Sequence, residues 1–255
     1  MSIVRANVLS VAGFDPSGGA GVLADCKTFE MNKVQGFAIT TCVTYQTEKT
    51  FLNVDWLTNK QIAQQIEVLL ARHRVDFVKI GLVENLAAVD KICKLLLKKN
   101  PKVKIIWDPI LKASAGFEFH AETDRAALLS ICSKIFMITP NWLEITKLVP
   151  EFTPLEAGAF LAESCMVYLK GGHNPDSMGR DYLFKKEKDG QIKQQNFKMQ
   201  REAEYGKHGS GCVLSSALLA NIARGYPLTK ACLRAKEYTL RLMESNKTLL
   251  GYHYR

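Results

Sequence analysis

Asn7-Val-Leu-Ser-Val-Ala12 runs directly into Gly13-Phe-Asp-Pro-Ser-Gly-Gly-Ala-Gly21. The first segment is short, apolar and β-leaning, and the glycines and proline that follow cannot prolong a strand. A helix is expected from about Ala20 to Asn32. Phe37 to Tyr45 is rich in β-branched and aromatic residues and reads as the next strand. A strand, a glycine-rich turn, a helix and a second strand make the unit from which parallel sheets are assembled.

The same alternation continues along the chain. Ile62, Ile66, Leu69 and Leu70 recur at helical spacing, and Asp76 to Ile80 is a strand closed by Gly81. Leu86, Val89, Cys93, Leu96 and Leu97 share one helix face, Val103 to Trp107 is a strand, and Asp108-Pro109 stands at its carboxyl end. Ala126 to Ile131 reads as a helix, followed by strands at Ile135 to Ile138 and Met166 to Leu169. The expectation is a parallel sheet covered by helices on both faces. It is interrupted once, by a hairpin pairing Asp181 to Lys185 with Gln191 to Lys198 across Asp189-Gly190. Helical spacing resumes after Cys212 and again through Ala231, Ala235, Tyr238 and Leu242.

No linker or repeat divides the 255 residues, so a single domain over 1–255 is expected. Seven cysteines, an odd number without C-x-x-C spacing, argue against a disulfide framework or a structural zinc site and for a reducing compartment. The amino terminus lacks the apolar core of a signal peptide, and no apolar stretch reaches the roughly 18 residues of a membrane span. A cytoplasmic location without membrane attachment follows as an expectation. The formal charge is +9, but the lysines are dispersed along helix and hairpin faces without interleaved aromatics, which points away from nucleic acid.

Ligands of open α/β sheets gather at the carboxyl ends of the parallel strands. This chain puts Gly13 to Gly21, Gln46, Gly81-Leu82, Asp108-Pro109, Asn141 with Glu144, Lys170-Gly171-Gly172 and Gly209 to Cys212 there. The first loop satisfies neither the P-loop nor the dinucleotide spacing, which leaves a tight wall for a flat ligand or a plain strand-to-helix turn. Asp108 and Glu144 could hold Mg²⁺, directly or through water, and Lys170 could reach a phosphate. In Tyr205-Gly-Lys-His-Gly-Ser-Gly-Cys-Val-Leu-Ser215 a short turn leads into a buried helix, whose first amides and dipole favour an anion. Cys212 lies in that first turn, where the same field is expected to lower a thiol pKa from about 8.5. The alternative is a glycine turn with a small buried cysteine.

In this order, the Gly13–Gly21 loop, Asp25-Cys-Lys27, Gln46, Lys79-Ile-Gly81, Asp108-Pro109, Thr139-Pro-Asn141 with Glu144, Lys170-Gly-Gly-His173 and His208-Gly-Ser-Gly-Cys212 together resemble the hydroxymethylpyrimidine/phosphomethylpyrimidine kinases of thiamine biosynthesis, in the ribokinase-like superfamily. The resemblance spans nearly the whole chain and implies a three-layer α/β sandwich with a mostly parallel sheet. It implies ATP and Mg²⁺ as cofactors, a small heteroaromatic alcohol as substrate, and a homodimer. Gly13, Asp15 and Ala20 would border the ring, Asp25 and Gln46 would bond it, and Leu82 stands where the family usually has methionine. Lys170 and Asn141 would serve the nucleotide, and Asp108 and Glu144 the magnesium. The Gly209, Ser210, Gly211 and Cys212 amides would stabilise the transferred phosphoryl group, with Cys212 as base.

The chain departs from the family pattern in Glu204-Tyr-Gly-Lys207, where a Lys-Asn-Thr run is usual, in Ser210, and in the Leu250-Gly-Tyr-His-Tyr-Arg255 ending. Pyridoxal or pyridoxine kinase is the alternative within the same superfamily. A ligand-binding regulator without turnover, and a cysteine hydrolase built on Cys212 and His208, are the alternatives from other classes.

Overall fold

The computed structural model describes residues 4–111, 124–198 and 206–254. Glu204, Tyr205 and Arg255, singled out above, lie outside these residues. Among the described residues nine strands form one sheet in the order β3-β2-β1-β4-β5-β6-β7-β8-β9. The strands are β1 (Asn7–Phe14), β2 (Gln35–Gln46), β3 (Phe51–Trp56), β4 (Phe77–Ile80), β5 (Lys104–Trp107), β6 (Met137–Ile138), β7 (Met166–Leu169), β8 (Asp181–Lys186) and β9 (Ile192–Phe197). β2, β1, β4, β5, β6 and β7 run parallel, in register from Asn7↔Gln35 at one side to Ile138↔Val167 at the other. The order reverses direction at β1, the kind of switch point beside which α/β proteins bind ligands.

Two edges are antiparallel, not one. β8 and β9 form the expected hairpin beside β7. β3 pairs antiparallel with the second half of β2, Cys42 to Gln46, and was not anticipated. Beyond the bulge between Ala12 and Phe14, β2 runs on with β3 as its remaining long partner and carries Gln46 and Phe51 out to the ligand edge.

Side chains alternate between the faces of each strand, so β1 sends Leu9 and Val11 to one core and Val8 to the other. On the first face pack α2 (Asn59–Arg72), α3 (Leu86–Lys99), α4 (Arg125–Cys132), α5 (Trp142–Leu148) and α6 (Pro154–Leu161). On the second pack α1 (Gly21–Met31), α7 (Ser210–Ala223) and α8 (Leu228–Glu244). The result is the three-layer α/β sandwich expected of the ribokinase-like fold. α7 is buried nearly from end to end between the sheet, α1 and α8, which accounts for its apolar, small-residue sequence. It packs against β1 and β4, and Ser215 bonds Asp108, just past β5, at 3.0 Å.

Candidate active site

A cavity of about 950 Å³ opens along the carboxyl ends of the parallel strands. Gly13, Asp15, Ala20, Gln46, Leu82, Asp108, Asn141, Glu144, Lys170, Gly209, Ser210, Gly211 and Cys212 all lie on its wall. Asp25 is the exception among the residues named from sequence.

Gly209 enters α7 in the left-handed region with φ 73°, and no side chain caps the helix. A Cβ on Gly209 would fall 2.1 Å from the Gly19 carbonyl oxygen, so the turn lies directly on the Gly13–Gly21 loop. Gly21 is equally constrained, with φ 59° and the Gly13 carbonyl 2.1 Å from where its Cβ would stand. Only glycine permits the two turns to stack this closely. The first turn of α7 therefore meets the cavity without a side-chain cap, with Gly209 to Cys212 on the wall and the Ser210 amide turned back to the Lys207 carbonyl at 3.3 Å, an end suited to an anion.

Asp15 faces the cavity but offers no free carboxylate. Its Oδ1 accepts from the Ser17 amide and hydroxyl at 2.9 and 2.8 Å, and its Oδ2 meets the Ala20 amide at 2.9 Å and His208 Nε2 at 2.8 Å. Burial alone would raise its pKa, yet the bonds from His208 and Ser17 hold it below the usual carboxylate value. Asp15 thereby organises the Gly13–Gly21 loop at the cavity wall. The Gln46 amide donates to Thr44 Oγ1 at 2.9 Å, which orients it on the wall.

Asp25 departs from the expectation of a ring ligand. It is 0% exposed and does not line the cavity. Lys79 Nζ and Ser216 Oγ each donate to its Oδ1 at 2.6 Å, and Ser10 Oγ donates to its Oδ2 at 2.6 Å. Lys79, also 0% exposed, stands 3.5 Å from the Cys212 carbonyl oxygen and 4.0 Å from Asp108 Oδ2. Burial would depress its pKa, but Asp25, Cys212 and Asp108 together raise it, so Lys79 is a permanent cation beneath the first turn of α7. Sequence reading gave Lys79 no role. A lysine inside the apolar strand Phe77-Val-Lys-Ile80 was the available sign that a buried partner exists.

Lys170 Nζ donates to Asp108 Oδ1 at 2.6 Å and lies 3.7 Å from Glu144 Oε2. Burial works against its charge, but the two carboxylates raise its pKa and keep it cationic. Asp108 is further held by Thr139 Oγ1 at 3.2 Å and Ser215 Oγ at 3.0 Å. Glu144 closes a capping box, accepting from the Asn141 amide at 2.6 Å while the Asn141 side chain accepts from the Glu144 amide at 2.8 Å. Asn141 is therefore a helix cap at the cavity edge. Burial is the main cause lifting Glu144 to about 7, and Asp108 adds to it against the opposing pull of Lys170.

Among the described residues no three His, Cys, Asp or Glu side chains form a closed metal site. Mg²⁺ does not need one, since it is commonly held by one or two carboxylates together with substrate phosphates and water. Asp108 and Glu144 fit that mode: two buried carboxylates at the cavity wall share one lysine, and the strain on Glu144 is what a further cation would relieve.

Cys212 corrects the expected direction of its pKa. Burial pushes the thiol up to about 11, and the nearby Lys79 and Lys170 cations offset this only in part, with Asp108 and Asp25 opposing them. Desolvation outweighs the favourable field at the helix end. The cysteine hydrolase alternative finds no nucleophile–base pair: His208 Nε2 meets Asp15, its Nδ1 has no hydrogen-bond partner, and among the described residues no hydrogen bond joins the ring to Cys212.

The family model described as phosphomethylpyrimidine kinase matches residues 15–254. The chain belongs to this kinase family. It is 32% identical over 225 residues to the hydroxymethylpyrimidine/phosphomethylpyrimidine kinase of Escherichia coli K12, covering 85% of this chain and 82% of that one. It is 31% identical over 249 residues to the enzyme of the same name from Aquifex aeolicus, covering 94% and 95%. Among solved structures, the phosphomethylpyrimidine kinase of Clostridium difficile 630 superposes with TM-score 0.75 at 29% identity, covering 92% of this chain and 98% of that one. The pyridoxal kinase of Staphylococcus aureus in complex with ADP gives TM-score 0.78 at 23% identity, covering 95% and 89%, and at that identity shares the fold.

Proposed function

We propose that this chain is a single-domain, ATP-dependent kinase of 4-amino-5-hydroxymethyl-2-methylpyrimidine, and of its monophosphate, serving thiamine biosynthesis. The observation that carries this reading is the convergence on one cavity of the uncapped α7 turn, Cys212, Lys170, Asp108 and Glu144. Phosphoryl transfer asks for positioning and charge neutralisation more than covalent chemistry, and these residues supply both. Family membership and two relatives above 30% identity that bear the pyrimidine kinase name support the pyrimidine as the ring.

In this reading Gly13, Ala20, Gln46 and Leu82 border the flat ring, and Asp15 with His208 keeps their loop in place. Lys170 takes a phosphate oxygen while Asp108 holds its ammonium in position. Asp108 and Glu144 would hold Mg²⁺, which when bound neutralises phosphate charge. The Gly209–Cys212 amides meet the charge on the transferred group, a role that is strongest in a water-poor site. Cys212 Sγ receives the proton of the hydroxymethyl oxygen as that oxygen bonds to the γ-phosphorus of ATP and the γ-phosphorus–oxygen bond to the β-phosphate breaks, releasing ADP. The thiolate is the competent form, and with the thiol near 11 it is a small fraction at neutral pH. Lys79 and Lys170 are the cations that limit the cost of forming it. Seven free cysteines support a reducing, cytoplasmic setting, and the superfamily resemblance supports a homodimer. No described helix is long and apolar enough to cross a membrane.

ADP release from ATP, measured with and without the pyrimidine alcohol, tests the assignment. Wild-type protein should release ADP only when the alcohol is present. Cys212→Ala should cut turnover by about 10²-fold or more, the scale of losing a general base. Near-normal turnover in that variant removes Cys212 from the mechanism.

A further inference from the structure

The segment before the anion turn is bound to the end of the chain. Lys207 Nζ donates to the carbonyl oxygens of Asn246 and Thr248, both at 2.6 Å. The next residue, His208, donates its backbone amide to Leu249 O at 2.9 Å. The receiving turn is itself braced. Asn246 Oδ1 accepts from the Thr248 amide and hydroxyl at 2.8 Å each, Asn246 Nδ2 donates to Leu250 O at 2.8 Å, and the Tyr252 amide donates to Ser245 Oγ at 2.8 Å. Leu250 then closes onto Gly19, where an added Cβ would stand 2.8 Å from its Cδ2 and 2.6 Å from the His208 ring.

Three segments far apart in sequence are thus stacked: the ring loop 13–21, the anion turn 206–212 and the carboxyl-terminal turn 245–250. Lys207 and His208 are the residues that join them, His208 reaching Asp15 on one side while its amide and Lys207 reach the terminal turn on the other. Both Lys207 and the terminal segment lie where this sequence departs from its family's pattern.

We infer that Lys207 is a positioning residue for phosphoryl transfer, its ammonium clamping the carboxyl-terminal turn so that His208 and the Gly209–Cys212 amides are held in place. The inference rests on reading the α7 turn as the phosphoryl site. The backbone around Gly209 is left-handed and uncapped by side chains, so its shape depends on what holds Lys207 and His208 from behind. An amide displaced from its best geometry loses transition-state stabilisation more than ground-state binding. Loosening the clamp should therefore lower kcat and leave KM nearly unchanged.

The test compares full-length wild type with Lys207→Met, which keeps the aliphatic stem, and Lys207→Arg, which keeps a multidentate cation. Amide hydrogen exchange of the His208 and Ser210 region is read first, without ligands. It should quicken about tenfold or more in Lys207→Met, with β1 and β4 unchanged, and return toward wild type in Lys207→Arg. Steady-state kinetics, run well below each variant's Tm, should show kcat about tenfold lower in Lys207→Met and KM for both substrates within about threefold.

Unchanged exchange at His208 and Ser210 overturns the clamp. So does a raised KM for ATP at constant kcat, which would make Lys207 a direct nucleotide ligand. A kcat that falls only in proportion to the unfolded fraction also overturns it. If wild type itself shows no kinase activity, the functional reading fails while the exchange result still decides the clamp.

Discussion

Replacing Lys79 by methionine removes a cation that no solvent can replace. Lys79 and Asp25 are both fully buried and meet at 2.6 Å. With an effective dielectric constant of about 20, unit charges at that separation attract by roughly 6 kcal/mol, much of which is offset by taking both out of water. Removing one partner does not return that offset, because the survivor stays buried. Asp25 would keep only the hydroxyls of Ser10 and Ser216. The expected loss is about 3–5 kcal/mol for Lys79→Met, and a similar loss for Asp25→Asn. The double variant removes both charges and should cost at least about 2 kcal/mol less than the two single losses added together. Urea unfolding followed through tryptophan fluorescence, to which the buried Trp107 contributes beside Trp56 and Trp142, reads all four proteins. Strict additivity, or single losses below about 1 kcal/mol, would refute the idea that this pair is a buried ionic unit. The double variant should also remain slow in turnover, since Lys79 lies 4.0 Å from Asp108 and 3.5 Å from the Cys212 carbonyl. A stable double variant with wild-type kcat would show that the pair serves folding alone.

Other consequences follow from the same geometry. A thiol lifted to about 11 gains thiolate roughly tenfold per pH unit below that value, so alkylation of Cys212 in the ligand-free protein should climb steadily from pH 7 to 9. Peptide mapping of iodoacetamide adducts reads it, and a plateau near pH 8 would contradict the burial argument. Gly209→Ala forces a side chain into a left-handed position against the Gly19 carbonyl and should destabilise by about 2 kcal/mol or more while abolishing most turnover. Wild-type melting and activity in that variant would mean the two loops are not packed as described. Burial, with a smaller contribution from Lys27, lowers His253 from 6.5 to about 4, so the ring is neutral where it meets the Tyr238 hydroxyl. A group with a lowered folded pKa gives stability that is present above 6.5 and lost as pH falls toward 4. His253→Gln should flatten the fall in Tm over that window, and an unaltered slope would assign it elsewhere.

The parallel core was legible because strands buried on both faces read as near-continuous apolar runs, as in Val8 to Ala12, broken only by Ser10, and Ile105 to Trp107. β3 escaped because Phe51-Leu-Asn-Val-Asp-Trp56 is an edge strand with an exposed Leu52 and few apolar neighbours. α6 could have been read: Thr153-Pro-Leu-Glu156 carries a capping box with proline at the first turn. At the site, residues at strand ends were placed correctly on the cavity wall because topology alone brings them there. Asp25 was misassigned because its partner, Lys79, is 54 residues away, and only the folded chain shows that the carboxylate turns inward. The bond between His208 and Asp15 spans 193 residues and left no local trace. For Cys212 the place in the first helical turn was legible, but burial could not be weighed from sequence, and burial is the largest effect on the thiol.

Phosphorylation of a pyrimidine alcohol in this cavity is open to direct measurement. The most direct measurement is kcat/KM with ATP and Mg²⁺ for 4-amino-5-hydroxymethyl-2-methylpyrimidine, its monophosphate and pyridoxal, compared side by side on one preparation. Product should form from both pyrimidines, with a kcat/KM for the alcohol at least tenfold above that for pyridoxal. Faster turnover of pyridoxal, or no ATP consumed with any of the three, would contradict this assignment.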